Sequence, residues 1–153
     1  MSNDPRAVTA PNSGLQTRGV LGGRFVAYLV DLCVIAVLTF VLAVVIALLG
    51  VVTLGIAWLL FPILAATGVF YSIATVGGRR QATIGMRLFG LKVTGQNGTR
   101  VDPIIAGAHA LFFYVAASTM LLLALDILIG LVRDDRRLLH DLLTGVTVVR
   151  VGV

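Results

Sequence analysis

The chain has 153 residues, 58% of them hydrophobic and only 12% charged, with a net charge of +5. That balance excludes an ordinary water-soluble domain, in which roughly a quarter of the residues are charged, and the length allows one domain. The basic residues are arginines apart from Lys92, and they flank apolar segments, so anionic lipid headgroups are the expected neighbours and nucleic acid is not.

Residues 1–20 have the composition of a disordered tail. They contain no apolar core of the length a cleavable signal needs. The expected membrane domain covers 21–153, with helices over 24–49, 55–76 and 104–132. Each of these segments reaches the roughly 20 apolar residues required to cross a bilayer.

The first segment opens with Arg24 and carries Asp31 within its apolar run. A carboxylate at membrane depth is expensive unless paired, so Asp31 marks a site. Arg24 and Asp31 are seven residues apart and share a helix face, about 10.5 Å apart along the axis. They can pair through a water. Arg87 is a second possible partner for Asp31. Cys33 stands alone and has no disulfide partner or metal-ligand spacing.

Residues 50–54 join the first two segments into a tight helical hairpin, and Pro62 is expected to kink the second helix. Trp58, Phe61, Phe70 and Tyr71 fall at helical spacings, which packing or interface anchoring explains. Small residues at four-residue spacing, Ala43 with Ala47 and Ala106 with Ala110, allow close helix contact.

A polar loop follows. Its Leu91–Val93 and Thr99–Val101 runs flank a Gly-Gln-Asn-Gly stretch that suits a hairpin turn. The third apolar segment carries Asp126 and is followed by Arg133, again seven residues apart, a second candidate ion-pair or proton site. A short polar helix ends at Gly145, and the terminal β-branched run reads as a strand. The surface β elements are placed at 90–102 and 145–152, the terminal strand pairing with Leu91–Val93 in a small cytoplasmic sheet.

This arrangement conflicts with the charges. All three basic flanks favour the cytoplasmic side, whereas three full crossings put the C-terminus outside. Either one basic flank lies outside or, the preferred reading, a re-entrant or oblique third segment keeps both termini inside. The expected fold is therefore an all-α membrane protein: a helical hairpin, a third hydrophobic helix and a small sheet.

Several residues together resemble the RDD family of prokaryotic integral membrane proteins. They are Arg24 and Asp31; Gln81, Thr83, Gly85, Arg87, Gly90, Leu91 and Val93; and His140, Asp141, Gly145, Val148 and Val149. The resemblance covers nearly the whole chain beyond residue 20. It implies that Arg24, Asp31 and Asp141 are the Arg and two Asp of the family name. Two positions depart from the pattern. The usual Thr-Pro-Gly reads Thr83-Ile84-Gly85, and the usual Arg-rich start of the third helix holds His109 instead. The resemblance implies a multi-pass protein of the bacterial plasma membrane, and the basic flanks point to a cytoplasmic N-terminus. Some members of the family have been proposed as ion or proton exchangers. Others are associated with larger membrane complexes, including Mce-type lipid-uptake systems.

The charged residues carry two readings. The pairs can lock the helices to the surface domain, or Asp31 and Asp126 can be protonatable or cation-binding groups in a pathway. Asp141 can cap backbone amides or pair with Arg87 or Arg137. His109 and His140 lie far apart in sequence with no Cys or Glu beside them, so neither a metal nor a cofactor is expected. Gly77-Gly78-Arg79-Arg80 lacks the Lys-[Ser/Thr] ending of a phosphate loop, and no other catalytic motif is present, so no enzyme activity is expected. Three helices are few to enclose a solute path. The expected role is an accessory or scaffold subunit of a larger transport complex, with an autonomous homo-oligomeric ion or proton-coupled transporter as the alternative.

Overall fold

The computed structural model describes residues 20–95 and 98–151. The tail expected over 1–20 falls, but for Val20, outside the described residues, as does Asn97 of the proposed turn.

Helix α1 (Val20–Val52) is a single helix of 33 residues. At about 1.5 Å per residue it is longer than a bilayer core is thick. Its first turns serve a different purpose from the rest: Val20 and Ala27 are buried in the main core, while most of the later side chains are exposed. After a turn at Thr53–Gly55 the chain returns as a 3-10 helix (Ile56–Ala66) that contains Pro62, then becomes regular in α2 (Thr67–Val76). The effect of Pro62 is thus broader than a point kink. Proline removes a backbone donor and crowds the preceding turn, and the whole first half of this segment is wound more tightly. Both α1 and the Ile56–Val76 stretch are long and apolar enough to cross a membrane.

The loop after α2 leads through α3 (Ile84–Leu88) into β1 (Leu91–Gly95). Helices α4 (Pro103–Ala117) and α5 (Met120–Val132) follow, then α6 (Leu139–Thr144) and β2 (Val146–Arg150). Asp102 caps α4 by accepting from the Ile104 amide, with Pro103 at the first helical position, where its missing N–H costs nothing. Gly145 ends α6 with φ of 67°, a left-handed conformation that glycine adopts without strain.

The sheet is antiparallel β1–β2, with Leu91 opposite Arg150, Val93 opposite Val148 and Gly95 opposite Val146. The expected pairing with the C-terminal strand is therefore present. The local hairpin is not: Thr99–Val101 forms no strand. The far edge of β1 is occupied instead by the Gln81 carbonyl, which accepts from the Val93 amide at 2.8 Å. Val101 is buried, and its carbonyl accepts from Gln81 Nε2 at 3.2 Å. Leu91, Val93, Val146 and Val148 pack with Val20, Ala27, Val76, Val101 and Ala106. The start of α1, the end of α2, the start of α4 and the sheet therefore meet at one end of the protein.

This sheet decides the path of the third apolar segment. Its strands lie on either side of α4 and α5 in sequence, so the intervening chain must return to the end from which it left. The single helix expected over 104–132 is accordingly two helices, bent by 119° at Ser118–Thr119. No Pro or Gly lies at the break; closure of the sheet imposes it. With 15 and 13 residues, neither helix alone reaches across a hydrocarbon core of about 30 Å. Ala106 and Ala110 are buried, Ala106 within the main core, so this small-residue pair does serve close packing. Ala43 and Ala47 remain half-buried.

Candidate functional site

Two buried polar clusters lie on a cavity of about 300 Å³ between α1, α2, α4 and α5. Arg24, Asp31, Tyr71, His109, Asp126 and His140 all contribute to its lining, within otherwise apolar walls.

The first cluster is built on Asp31, on the buried side of α1. Its Oδ1 accepts from the Tyr71 hydroxyl at 2.6 Å and from the Gly85 amide at 2.8 Å. Its Oδ2 accepts from the Thr83 hydroxyl at 2.6 Å. Thr83 also caps α3 by accepting from the Met86 amide at 3.1 Å, and the Ile84 amide donates to the Tyr71 oxygen at 2.9 Å. Asp31 thus clips the Thr83-Ile84-Gly85 loop against α1. A side chain at position 85 would overlap the Ala27 carbonyl and crowd the Asp31 carboxyl group, so glycine is required there by close approach. Ile84, in place of the usual proline, supplies the amide that Tyr71 accepts.

The second cluster surrounds Asp141, which is fully buried in α6. Arg24 grips it with both terminal guanidinium nitrogens, Nη1 to Oδ2 at 2.5 Å and Nη2 to Oδ1 at 2.9 Å. Asp141 Oδ2 also accepts from the Leu138 amide at 2.9 Å, so it caps the start of its own helix. Nearby, Asp126 accepts from the His140 amide at 3.0 Å, and His140 Nδ1 lies 2.9 Å from both Asp126 oxygens. The His109 and His140 rings are 4.7 Å apart, and Phe113 packs edge-on to His140.

These contacts correct several expected pairings. Arg24 and Asp31 share a face of α1, but two helical turns separate them, and each meets a partner from another element. Asp126 does not pair with Arg133. That arginine lies beyond the end of α5 and bonds half-buried Asp135 at 2.8 Å, while Asp126 turns inward to His140. Arg87 does not reach Asp31; its Nε donates to the Ala82 carbonyl at 3.0 Å. Arg137 reaches the backbone carbonyls of Val146 and Asp141 and not the Asp141 carboxylate. The two histidines, distant in sequence, are neighbours.

A model of the RDD family matches residues 18–145. The chain belongs to the RDD family. No curated protein and no solved structure matches it significantly. In this RDD protein Arg24 and Asp141 form one ion pair joining α1 to α6. Asp31 joins α1 to the α3 loop. These three charges are therefore tertiary connectors. Tyr71, His109 and the contact between Asp126 and His140 were missed at the level of sequence. The available signal was a need: each acid inside an apolar segment requires donors, and a tyrosine in the facing segment is an obvious supplier.

Burial by itself would raise the pKa of Asp141. The Arg24 charge and hydrogen bonds, with His140 and His109 behind them, outweigh it and hold the group down at about 2. The unfolded value is about 3.9, so the carboxylate stabilises the fold above that pH and the contribution is lost as pH falls through the folded value. The melting temperature of the detergent-solubilised protein is expected to drop between pH about 4 and about 2, reflecting about 2 to 3 kcal/mol. A melting curve flat across that window would contradict the assignment.

Proposed function

We propose that this RDD protein is a non-enzymatic, multi-pass module of the bacterial plasma membrane that serves as an accessory or scaffold subunit of a larger membrane complex. A lipid transporter of the Mce type is one such complex. The observation that carries this reading is α1: only 6% of its most apolar stretch is buried within the protein's own fold. An apolar helix so little covered by its own chain is available to lipid and to another membrane protein.

The polar groups support the same reading. Asp31, Arg24, Asp126 and Asp141 are all engaged inside the fold, where they tie α1 to α2 and to α6, and α5 to α6. The arrangement of α4 and α5 supports a re-entrant hairpin. Arg79, Arg80, Arg87, Lys92, Arg100, Arg133 and Arg136 lie between α2 and α4 or between α5 and α6, the stretches that lead into or out of the two strands. The positive-inside rule then supports a cytoplasmic sheet with both termini on that side.

A second reading, a homo-oligomeric ion or proton-coupled transporter, is favoured by one observation: Asp31 and Asp126 line the same cavity. Purification from the native membrane in mild detergent, followed by native mass spectrometry, separates the two. A stoichiometric larger partner is the expected result. A homo-oligomer with nothing else bound, whose proton or cation flux disappears in Asp31→Asn at unchanged protein level, would overturn the accessory role.

A further inference from the structure

Asp126 and His140 impose a constraint on the ring that lies between Asp126 and Asp141. An ionised carboxylate only accepts hydrogen bonds, so His140 Nδ1, which faces both Asp126 oxygens at 2.9 Å, carries the proton. In a neutral ring, Nε2 then presents a lone pair. That lone pair lies 3.4 Å from Asp141 Oδ1, itself an acceptor. His109 Nδ1 lies 3.7 Å from the same oxygen and 3.3 Å from the Thr144 hydroxyl oxygen, a contact that a bound ion would replace. The His140 nitrogen and the Asp141 oxygen repel at this separation unless a positive charge lies between them, either a second ring proton or a metal ion.

We propose that His109, His140 and Asp141 form a binding site for a divalent first-row transition metal ion of the Zn2+ class. One ligand atom from each residue falls within a set no wider than 4.8 Å. Atoms bound tetrahedrally to one ion at about 2.0–2.1 Å stand about 3.4 Å apart, and the separations of 3.4 and 3.7 Å lie at or close to that value. Nitrogen and carboxylate oxygen together suit zinc and its neighbours. Asp126 on Nδ1 of His140 is the carboxylate–histidine arrangement that orients a metal-bound imidazole and raises its basicity. Phe113 packs edge-on against the same ring.

Arg24 does not displace the ion. Each carboxylate oxygen has two lone-pair sites, so Asp141 Oδ1 can serve Arg24 Nη2 and the metal together while Oδ2 stays with Nη1. The guanidinium does oppose a second cation, which weakens binding relative to a site without it. Three protein ligands leave a coordination position open. His109 and His140 both border the cavity, which supplies the route of entry. The site ties α4 to α6 and is independent of whether the protein works as a subunit or alone.

The test uses the full chain in detergent, prepared without a polyhistidine tag and stripped with a chelator. Zn2+ is titrated against a chromophoric indicator, and Co2+ is followed through its ligand-field absorption. The expected result is one equivalent bound, a tetrahedral or five-coordinate Co2+ spectrum, and an affinity about tenfold or more weaker in His109→Ala, since losing a ligand costs at least as much as losing its outer partner, in a metal-free variant that still melts cooperatively. Wild-type protein that binds no equivalent of either ion overturns the proposal, whatever the variants do. Binding that persists unchanged in both His109→Ala and His140→Ala overturns it too. So does a cluster that takes up only a proton, seen as a histidine titration by NMR without metal uptake.

Discussion

Replacing Arg24 with methionine is expected to destabilise the protein by about 3 to 5 kcal/mol, the cost of leaving a buried charge without its partner. Asp141 is 0% exposed, so its carboxylate cannot turn to water when the guanidinium is removed. The contact is bidentate, and lysine, a point charge on a flexible stem, cannot reproduce it. Arg24→Lys should therefore recover only part of the loss. Removing both charges, in Arg24→Met with Asp141→Leu, should be less harmful than Arg24→Met alone, because no orphaned ion remains. The Leu138 amide would still lose its cap. Equilibrium unfolding in micelles across this double-mutant cycle gives the coupling directly. A loss below about 1 kcal/mol for Arg24→Met, the scale of an exposed ion pair, would show that the pair does not hold α6 to α1.

Asp31→Ala should cost about 3 kcal/mol or more and release the α3 loop. Three donors converge on this carboxylate: the Tyr71 hydroxyl, the Thr83 hydroxyl and the Gly85 amide. Each buried donor left without a partner costs about 1 to 3 kcal/mol. Asparagine keeps the shape and one acceptor oxygen but loses the negative charge, and hydrogen bonds to an ion are roughly twice as strong as neutral ones. Asp31→Asn should accordingly cost about half as much as Asp31→Ala. Hydrogen exchange provides the local readout. Protection of the Gly85 and Met86 amides should fall in both variants, while amides of α6, held by the separate Arg24–Asp141 pair, stay protected. Unchanged exchange at Gly85 would mean that Asp31 does not clip the loop.

The different origins of these contacts explain how much of the site was readable in the sequence. Asp31 stood out because a charge in an apolar run violates the local composition, and the demand for partners follows from solvation alone. Its partners did not stand out, since Tyr71 looked like one more aromatic on a helical stripe. The seven-residue spacings of Arg24 with Asp31 and of Asp126 with Arg133 were misleading for the same reason. Helical periodicity shows which side chains share a face but not which other element covers it. His109 and His140 were discounted because motif spacing records only ligands brought together locally, and here the return of α5 to the sheet end brings α6 beside α4.

Composition and hydropathy by themselves determined that this chain is built around apolar helices, where the first two run, and that Asp31 and Asp126 require partners. These are properties of segments in a solvent, and each segment carries them wherever it is placed. The β-branched ending likewise made a terminal strand legible, because local preference and pattern agree there. Only the tertiary structure decided that Arg24 grips Asp141, that Asp126 meets His140, and that the third apolar segment breaks at Ser118–Thr119 with no helix-breaking residue. Those outcomes follow from one long-range event, the pairing of β1 with β2, which returns the chain to its starting end and sets which faces meet.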